Sequence, residues 1–191
     1  MWSTTLSEHL TVIQSLEVLE TIIETAGRLL SNALVDGHRI LVCGNGGSAA
    51  DAQHFAAELV GRFEAERSGL PAIALTTDTS ILTAIGNDYG YERVFSRQVD
   101  ALGRPGDVFI GISTSGNSRN VVEAVASART IGMHTIGLLG AKGGLLADAV
   151  DTAIVVPATR TARIQEAHML ILHYWAGCIE ASILKSSGFP A

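Results

Sequence analysis

Two stretches of this sequence have the make-up of anion-binding loops. Residues 40–51 and 109–121 each pass from an apolar run, through glycines and small polar residues, into a helix-forming segment. In such loops backbone N–H groups point at an anion, and the dipole of the following helix favours negative charge. The first reads Gly44-Asn45-Gly46-Gly47-Ser48 and the second Ser113-Thr114-Ser115-Gly116-Asn117-Ser118. No Gly-Lys-Ser and no G-x-G-x-x-G is present in either, which disfavours triphosphate and dinucleotide chemistry. The second loop offers four hydroxyls and no basic side chain, which suits one phosphoryl group on a small molecule. An ordinary strand-to-helix turn rich in small residues has the same composition. Ser48 and Asp51 have capping-box spacing, and Asn117 or Ser118 can cap the second helix.

His54 and Glu58 follow the first loop at i and i+4, so they stack on one helix face. That pair can bind a metal or exchange a proton; it can equally be a surface hydrogen bond. Near the C-terminus, Arg163-Ile164-Gln165-Glu166-Ala167-His168 runs on through an apolar stretch to His173. Polar residues in such a helix need a reason to be there, and either histidine alone can be a hydrogen-bonded core residue. Gln165 and His173 are separated by a helical rise of about 12 Å, so they meet one ligand only if it lies between them.

The elements that must hold these residues are legible from periodicity. Apolar positions at three-and-four spacing from Leu10 to Leu30 predict one long helix over 5–34, with Thr5 and Glu8 as a capping box. Continuous apolar runs at 40–43, 72–75, 108–112, 135–139 and 153–156 predict strands buried on both faces. Helical stretches at 49–63, 80–85, 120–131 and 161–184 fill the gaps. Alternation of this kind predicts an α/β three-layer sandwich with a central parallel sheet. The expected organisation is one domain over 1–191. An oligomerisation helix occupies about 5–35 and an α/β core about 37–187.

Composition limits the partners. Of 191 residues, 47% are hydrophobic and 17% charged, a balance that favours burial against further copies of the chain. Thirteen basic residues against nineteen acidic give −6, with only Lys142 and Lys185 as lysines, so a nucleic-acid footprint is missing. His168, His173 and Glu180 interrupt the longest apolar run, and no membrane span is expected. Cys43 and Cys178 are widely spaced and read as reduced core residues. With no signal-peptide pattern at the start, a cytoplasmic protein is the expectation.

Four motifs in order resemble the bacterial phosphoheptose isomerases, members of the sugar isomerase (SIS) domain class. They are Cys43-Gly44-Asn45-Gly46-Gly47-Ser48-Ala49-Ala50-Asp51-Ala52-Gln53-His54 with Glu58, then Leu82-Thr83-Ala84-Ile85-Gly86-Asn87-Asp88-Tyr89, then 113–118 and 163–168. The resemblance implies a flavodoxin-like core and isomerisation of sedoheptulose 7-phosphate to D-glycero-D-manno-heptose 7-phosphate, the first step of heptose biosynthesis, as for lipopolysaccharide. It implies one zinc ion (Zn2+) per subunit on His54, Glu58, Gln165 and His173, with Glu58 and His173 as the acid–base pair. Substrate contacts are implied at Asn45, Gly46, Gly47, Ser48, Glu58, Asn87, Asp88, Ser113, Thr114, Ser115, Ser118 and Gln165. A homotetramer with active sites near its subunit interfaces is implied as well. Two imidazoles, a carboxylate and an amide oxygen form a reasonable zinc set. As both ligand and base, Glu58 would have to loosen from the metal, unless the metal is partly structural. Some relatives carry an acidic residue where this chain has Ala162, so no role passes to that position.

The segment 62–67 followed by Leu70-Pro71-Ala72 also resembles the SIS protein that associates with the bacterial replication initiator. That branch lacks the glutamate and the last-helix histidine, and this chain keeps Glu58 and His173. A sugar-phosphate sensor without turnover is the third reading, and retention of all four implied ligands argues against it.

Overall fold

The computed structural model describes residues 1–186, so the expected end of the core at 187 lies just outside the described residues. Five strands form one sheet: β1 (Ile40–Gly44), β2 (Ala72–Ala74), β3 (Val108–Ser113), β4 (His134–Leu139) and β5 (Thr152–Val155). All four pairings are parallel and the order is β2-β1-β3-β4-β5. Every residue of β1 and β3 is buried, as the unbroken apolar runs require of strands covered on both faces. Because successive side chains alternate, Ile40, Val42, Val108, Ile110, Ile112, Ile136 and Leu138 enter one core. Leu41, Cys43, Phe109 and Leu139 enter the other.

The first core is roofed by α2 (Glu20–Val35), α3 (Gly47–Val60) and α8 (Thr161–Ser186). Opposite lie α4 (Thr79–Tyr89), α5 (Ser96–Leu102), α6 (Arg119–Ile131) and α7 (Gly144–Ala149). The expected strands and the four core helices are found with ends shifted by a few residues. The two helices not foreseen, α5 and α7, have 7 and 6 residues, too short for a periodic apolar face to declare itself.

The N-terminal helix differs from expectation. It is two helices, α1 (Trp2–Ser15) and α2, joined by a 3-10 turn at Leu16–Leu19. A 3-10 turn advances fewer residues per turn than an α-helix, so it re-phases the apolar stripe. α2 then buries Ile23, Ala26, Leu30 and Leu34, whereas α1 buries nothing. α1 instead reaches the start of α8 through polar contacts, His9 Nδ1 to Glu166 Oε2 (2.7 Å) and Arg163 Nη1 to the Thr5 carbonyl (2.7 Å). Thr5 lies inside α1, where its N–H bonds the Met1 carbonyl (3.1 Å), so the expected capping box does not form.

The sheet order fixes where a ligand can sit. From β1 the chain moves outward to β2, and from β3 it moves the opposite way to β4. The reversal opens a crevice beyond the C-terminal ends of β1 and β3, the usual binding place in open α/β sheets. Both glycine- and serine-rich loops leave from those two ends.

Candidate functional site

The first loop turns sharply into α3. Gly46, at φ 57°, is the N-cap residue, and no side chain caps the helix. Ser48 is buried as the second residue of the helix, so the expected Ser48–Asp51 capping box is replaced by a glycine-led backbone turn. A Cβ on Gly47 would run into the side-chain amide of Gln165, so the missing side chain lets α8 close on the loop. Gln165 thus rests at the start of α3.

The second loop is internally bonded. Ser113 and Ser118 share a hydroxyl hydrogen bond (2.9 Å), and the Asn117 N–H donates to Ser115 Oγ (3.2 Å). Ser118 is the N-cap of α6 by position, but its hydroxyl turns to Ser113 and does not cap. Thr114 is half-buried and Ser115 exposed, just before the N-terminus of α6. Across the crevice the Asn45 and Asn120 amides exchange two hydrogen bonds (2.9 and 2.8 Å) and tie the two loops together. Asn120 is 4% exposed and was not foreseen; an amide in the first turn of α6 was its only signal in the sequence. Asn87 and Asp88 are exposed at the end of α4, where they hydrogen-bond each other (2.8 Å) and not the loops.

Further along α3, His54, Glu58 and His173 converge. His54 Nε2 lies 2.9 Å from His173 Nε2 and 3.0 Å from Glu58 Oε1, and one ligand atom from each residue lies within 4.8 Å of the others. A single Nε2 proton cannot serve both neighbours, whereas a cation can take all three lone pairs at once. Zinc bonds to nitrogen and oxygen of about 2.0–2.2 Å fit atoms this close, so the donor set suits the ion. Glu58 is half-buried and His54 exposed, as an open site requires. Gln165, on α8, has its side-chain amide against Gly47 at the start of the helix that carries His54 and Glu58.

The surroundings of the cluster are less polar. The Phe63 ring stacks on His173 with centroids 5.7 Å apart and planes at 27°. Asp51, one turn before His54, is 9% exposed, and its Oδ2 has no hydrogen-bond partner. Burial pushes its carboxyl up to about 6, partly offset by the His54 charge. His168 is a different kind of histidine. It is fully buried, its ring Nε2 lies 3.0 Å from the Leu139 carbonyl, and burial pushes it down to about 4 despite that bond. His168 is thus the hydrogen-bonded core residue that either α8 histidine alone could have been, whereas His173 reaches His54.

Residues 6–140 match the SIS domain family. A phosphoheptose isomerase of Geobacter sulfurreducens is 60% identical over 173 residues, covering 87% of this chain and 90% of that one. The structure of a phosphoheptose isomerase from Neisseria gonorrhoeae superposes with a TM-score of 0.88 at 51% identity, over 94% of this chain and 96% of that chain. One from Francisella tularensis gives 0.86 at 36% identity, over 95% and 99%. With this sheet order, these two loops and this likeness along nearly its whole length, the chain belongs to the phosphoheptose isomerase family of SIS-domain proteins.

Proposed function

We propose that this aldose–ketose isomerase converts sedoheptulose 7-phosphate to D-glycero-D-manno-heptose 7-phosphate, feeding heptose biosynthesis. The observation that carries the reading is the convergence of His54, Glu58 and His173 beside the crevice of a phosphoheptose isomerase fold. It disfavours the initiator-binding and sensor readings, which need no such cluster.

The hydroxyls of Ser113, Thr114, Ser115 and Ser118, with the α6 N-terminus, take the phosphate. Asn45, Gly46, Gly47, Ser48, Gln165, Asn87 and Asp88 contact the sugar, the last two by way of a neighbouring subunit. Anchoring the phosphate lets remote binding energy orient C1 and C2. Glu58 removes a C1 proton, and that electron pair forms the C1–C2 double bond while His173 protonates the C2 oxygen. Return of a proton to C2, with loss of the O1 proton, leaves the aldehyde. His54, Glu58, Gln165 and His173 would hold a zinc ion, which would supply Lewis-acid stabilisation of negative charge developing on the sugar oxygens.

A homotetramer is the assembly this reading takes. Its support is the exposed apolar residues Trp2, Leu6 and Leu10 on α1, and the absence of any buried residue on α4. No helix among the described residues is long and apolar enough to cross a membrane. Free Cys43 and Cys178 and a phosphorylated substrate suit the cytoplasm.

Proton NMR of the zinc-loaded protein with sedoheptulose 7-phosphate in deuterated water tests the reaction. Heptose 7-phosphate carrying deuterium at C2 is the expected product. Protonated product would replace the solvent-exchanging enediolate with a shielded transfer. Absence of product from folded, metal-loaded protein would overturn the reading.

A further inference from the structure

Glu180 lies on α8 two turns beyond His173 and touches none of the three clustered residues. Its carboxylate is nearly sealed from solvent, with 5% of the side chain exposed. It accepts the backbone N–H groups of Phe63 (3.2 Å), Glu64 (3.0 Å) and Ala65 (2.6 Å), which open the segment after α3. Arg67 Nε stands 3.2 Å away with 2% of its side chain exposed, an ion pair without the alignment of a hydrogen bond. Burial works to raise the carboxyl of Glu180, but the Ala65, Glu64 and Phe63 N–H groups and the Arg67 charge outweigh it and hold the carboxyl below its ordinary value. The group is therefore an anion at neutral pH.

Both partners of this buried pair lead back to the cluster. Arg67 donates to the carbonyls of Glu58 (2.7 Å), Leu59 (2.8 Å) and Ser68 (3.0 Å). It so binds the last turn of α3, including the backbone that carries the Glu58 carboxylate. Phe63, whose N–H is held by Glu180, lays its ring on His173. A buried ion pair is a weak source of stability, because desolvation offsets its attraction. Its value here is geometric: one carboxylate fixes three consecutive backbone groups and a guanidinium that would otherwise choose their own positions.

We infer that Glu180 is a positioning residue for the isomerase: through the segment 63–67 it holds Arg67 on the Glu58 backbone and Phe63 on the His173 ring. The inference deepens the proposed function and rests on it for its kinetic consequences only. Groups that orient metal-binding or acid–base side chains from behind are typically worth about 10–100-fold in metal affinity or activity when lost.

The test uses the full-length protein with Glu180→Gln, which keeps size and one acceptor oxygen but removes the charge. Phe63→Leu removes the stacked ring and leaves the carboxylate bonds in place, and Phe63→Tyr keeps the ring. Expected for Glu180→Gln and Phe63→Leu is a fall in kcat of at least about tenfold, with KM within about twofold. Zinc binding by calorimetry should weaken by a similar factor, while Phe63→Tyr stays near the parent in both. NMR of the zinc-free protein gives a further readout: the His173 ring protons should be shifted by the Phe63 ring current in the parent and lose that shift in both damaging variants. Retention of the shift, zinc affinity and kcat in Glu180→Gln overturns the inference. If Glu180→Gln does not fold, equal values in Phe63→Leu and the parent overturn it. Should the parent itself lack turnover, the isomerase reading fails separately, and zinc affinity and the ring-current shift still decide the role of Glu180.

Discussion

The crevice between the ends of β1 and β3 and the seam between α3 and α8 are built from different materials. The crevice is made of backbone, hydroxyls and amides: Gly46, Ser113, Ser118 and the Asn45–Asn120 pair, with the charge supplied by helix N-termini. The seam concentrates imidazole and carboxylate groups that can ligate a cation or pass a proton, with His54, Glu58 and His173 in mutual reach. α3 joins them, beginning at Gly47 in the crevice and presenting His54 and Glu58 two to three turns later. On the proposed function, holding falls to the two loops at the crevice and reaction to the seam, with α3 running from one to the other. Such a layout suits a sugar phosphate whose phosphate and reacting carbons lie at opposite ends. It also means that variants should divide cleanly between KM and kcat.

The largest division is expected at Glu58. Glu58→Gln keeps an oxygen that can face the cluster but removes the basic carboxylate, so kcat should fall by about 10³-fold or more. KM should stay within a few-fold, and circular dichroism and oligomeric state should not change, because Glu58 is a half-buried residue outside the apolar core. Turnover equal to the parent would remove the base from this position. A large rise in KM with kcat unchanged would erase the distinction between the two regions.

His168 sharpens the comparison from inside the same helix. It lies five residues from His173, yet it belongs to neither region, being buried among apolar side chains beneath the Leu139 carbonyl. Its folded value of about 4 is below the ordinary value of about 6.5, so the unfolded chain binds the proton first as pH falls. Its contribution to stability is therefore whole above pH 6.5 and lost as pH falls towards 4. The loss between pH 7.5 and pH 5 is about 2 kcal/mol. In His168→Gln, whose amide can still donate to Leu139, urea unfolding at these two pH values should show a difference smaller by about that amount. kcat at pH 7.5 should remain near the parent. An unchanged pH difference would mean that His168 is not held neutral in the core.

Much of this was legible in the sequence because it depends on local chemistry. The apolar runs that had to be strands are strands, since only burial on both faces accommodates Ile40-Leu41-Val42-Cys43. His54 and Glu58 are brought together by helical geometry alone, as their spacing promised. What escaped notice depends on partners far away in the chain. Nothing near Phe63 announces that it will stack on a histidine 110 positions later, and Glu180 showed itself only as an acid interrupting an apolar helix. Both capping boxes matched by spacing and failed in three dimensions. Ser48 is drawn into the interior by the packing of α3 on the sheet, and α1 starts three residues before Thr5. The close approach of Gln165 to Gly47, for which that glycine leaves room, likewise had no local signal.

The smallest effect tests the crevice. Ser115 is exposed at the outer edge of its loop, and its hydroxyl accepts only the local Asn117 N–H at 3.2 Å. Its loss should therefore cost the fold little. A hydroxyl donating to a charged phosphate is worth about 1.5 kcal/mol at the lower end of such bonds, or roughly tenfold in binding. Ser115→Ala should accordingly raise KM about tenfold and leave kcat within about twofold, because the phosphate is remote from the bond changes at C1 and C2. Inorganic phosphate, as a competitive inhibitor, should weaken in parallel with KM if the loop holds the phosphoryl group itself. A fall in kcat instead, with KM and phosphate inhibition untouched, would place Ser115 on the reacting side and merge the two regions into one.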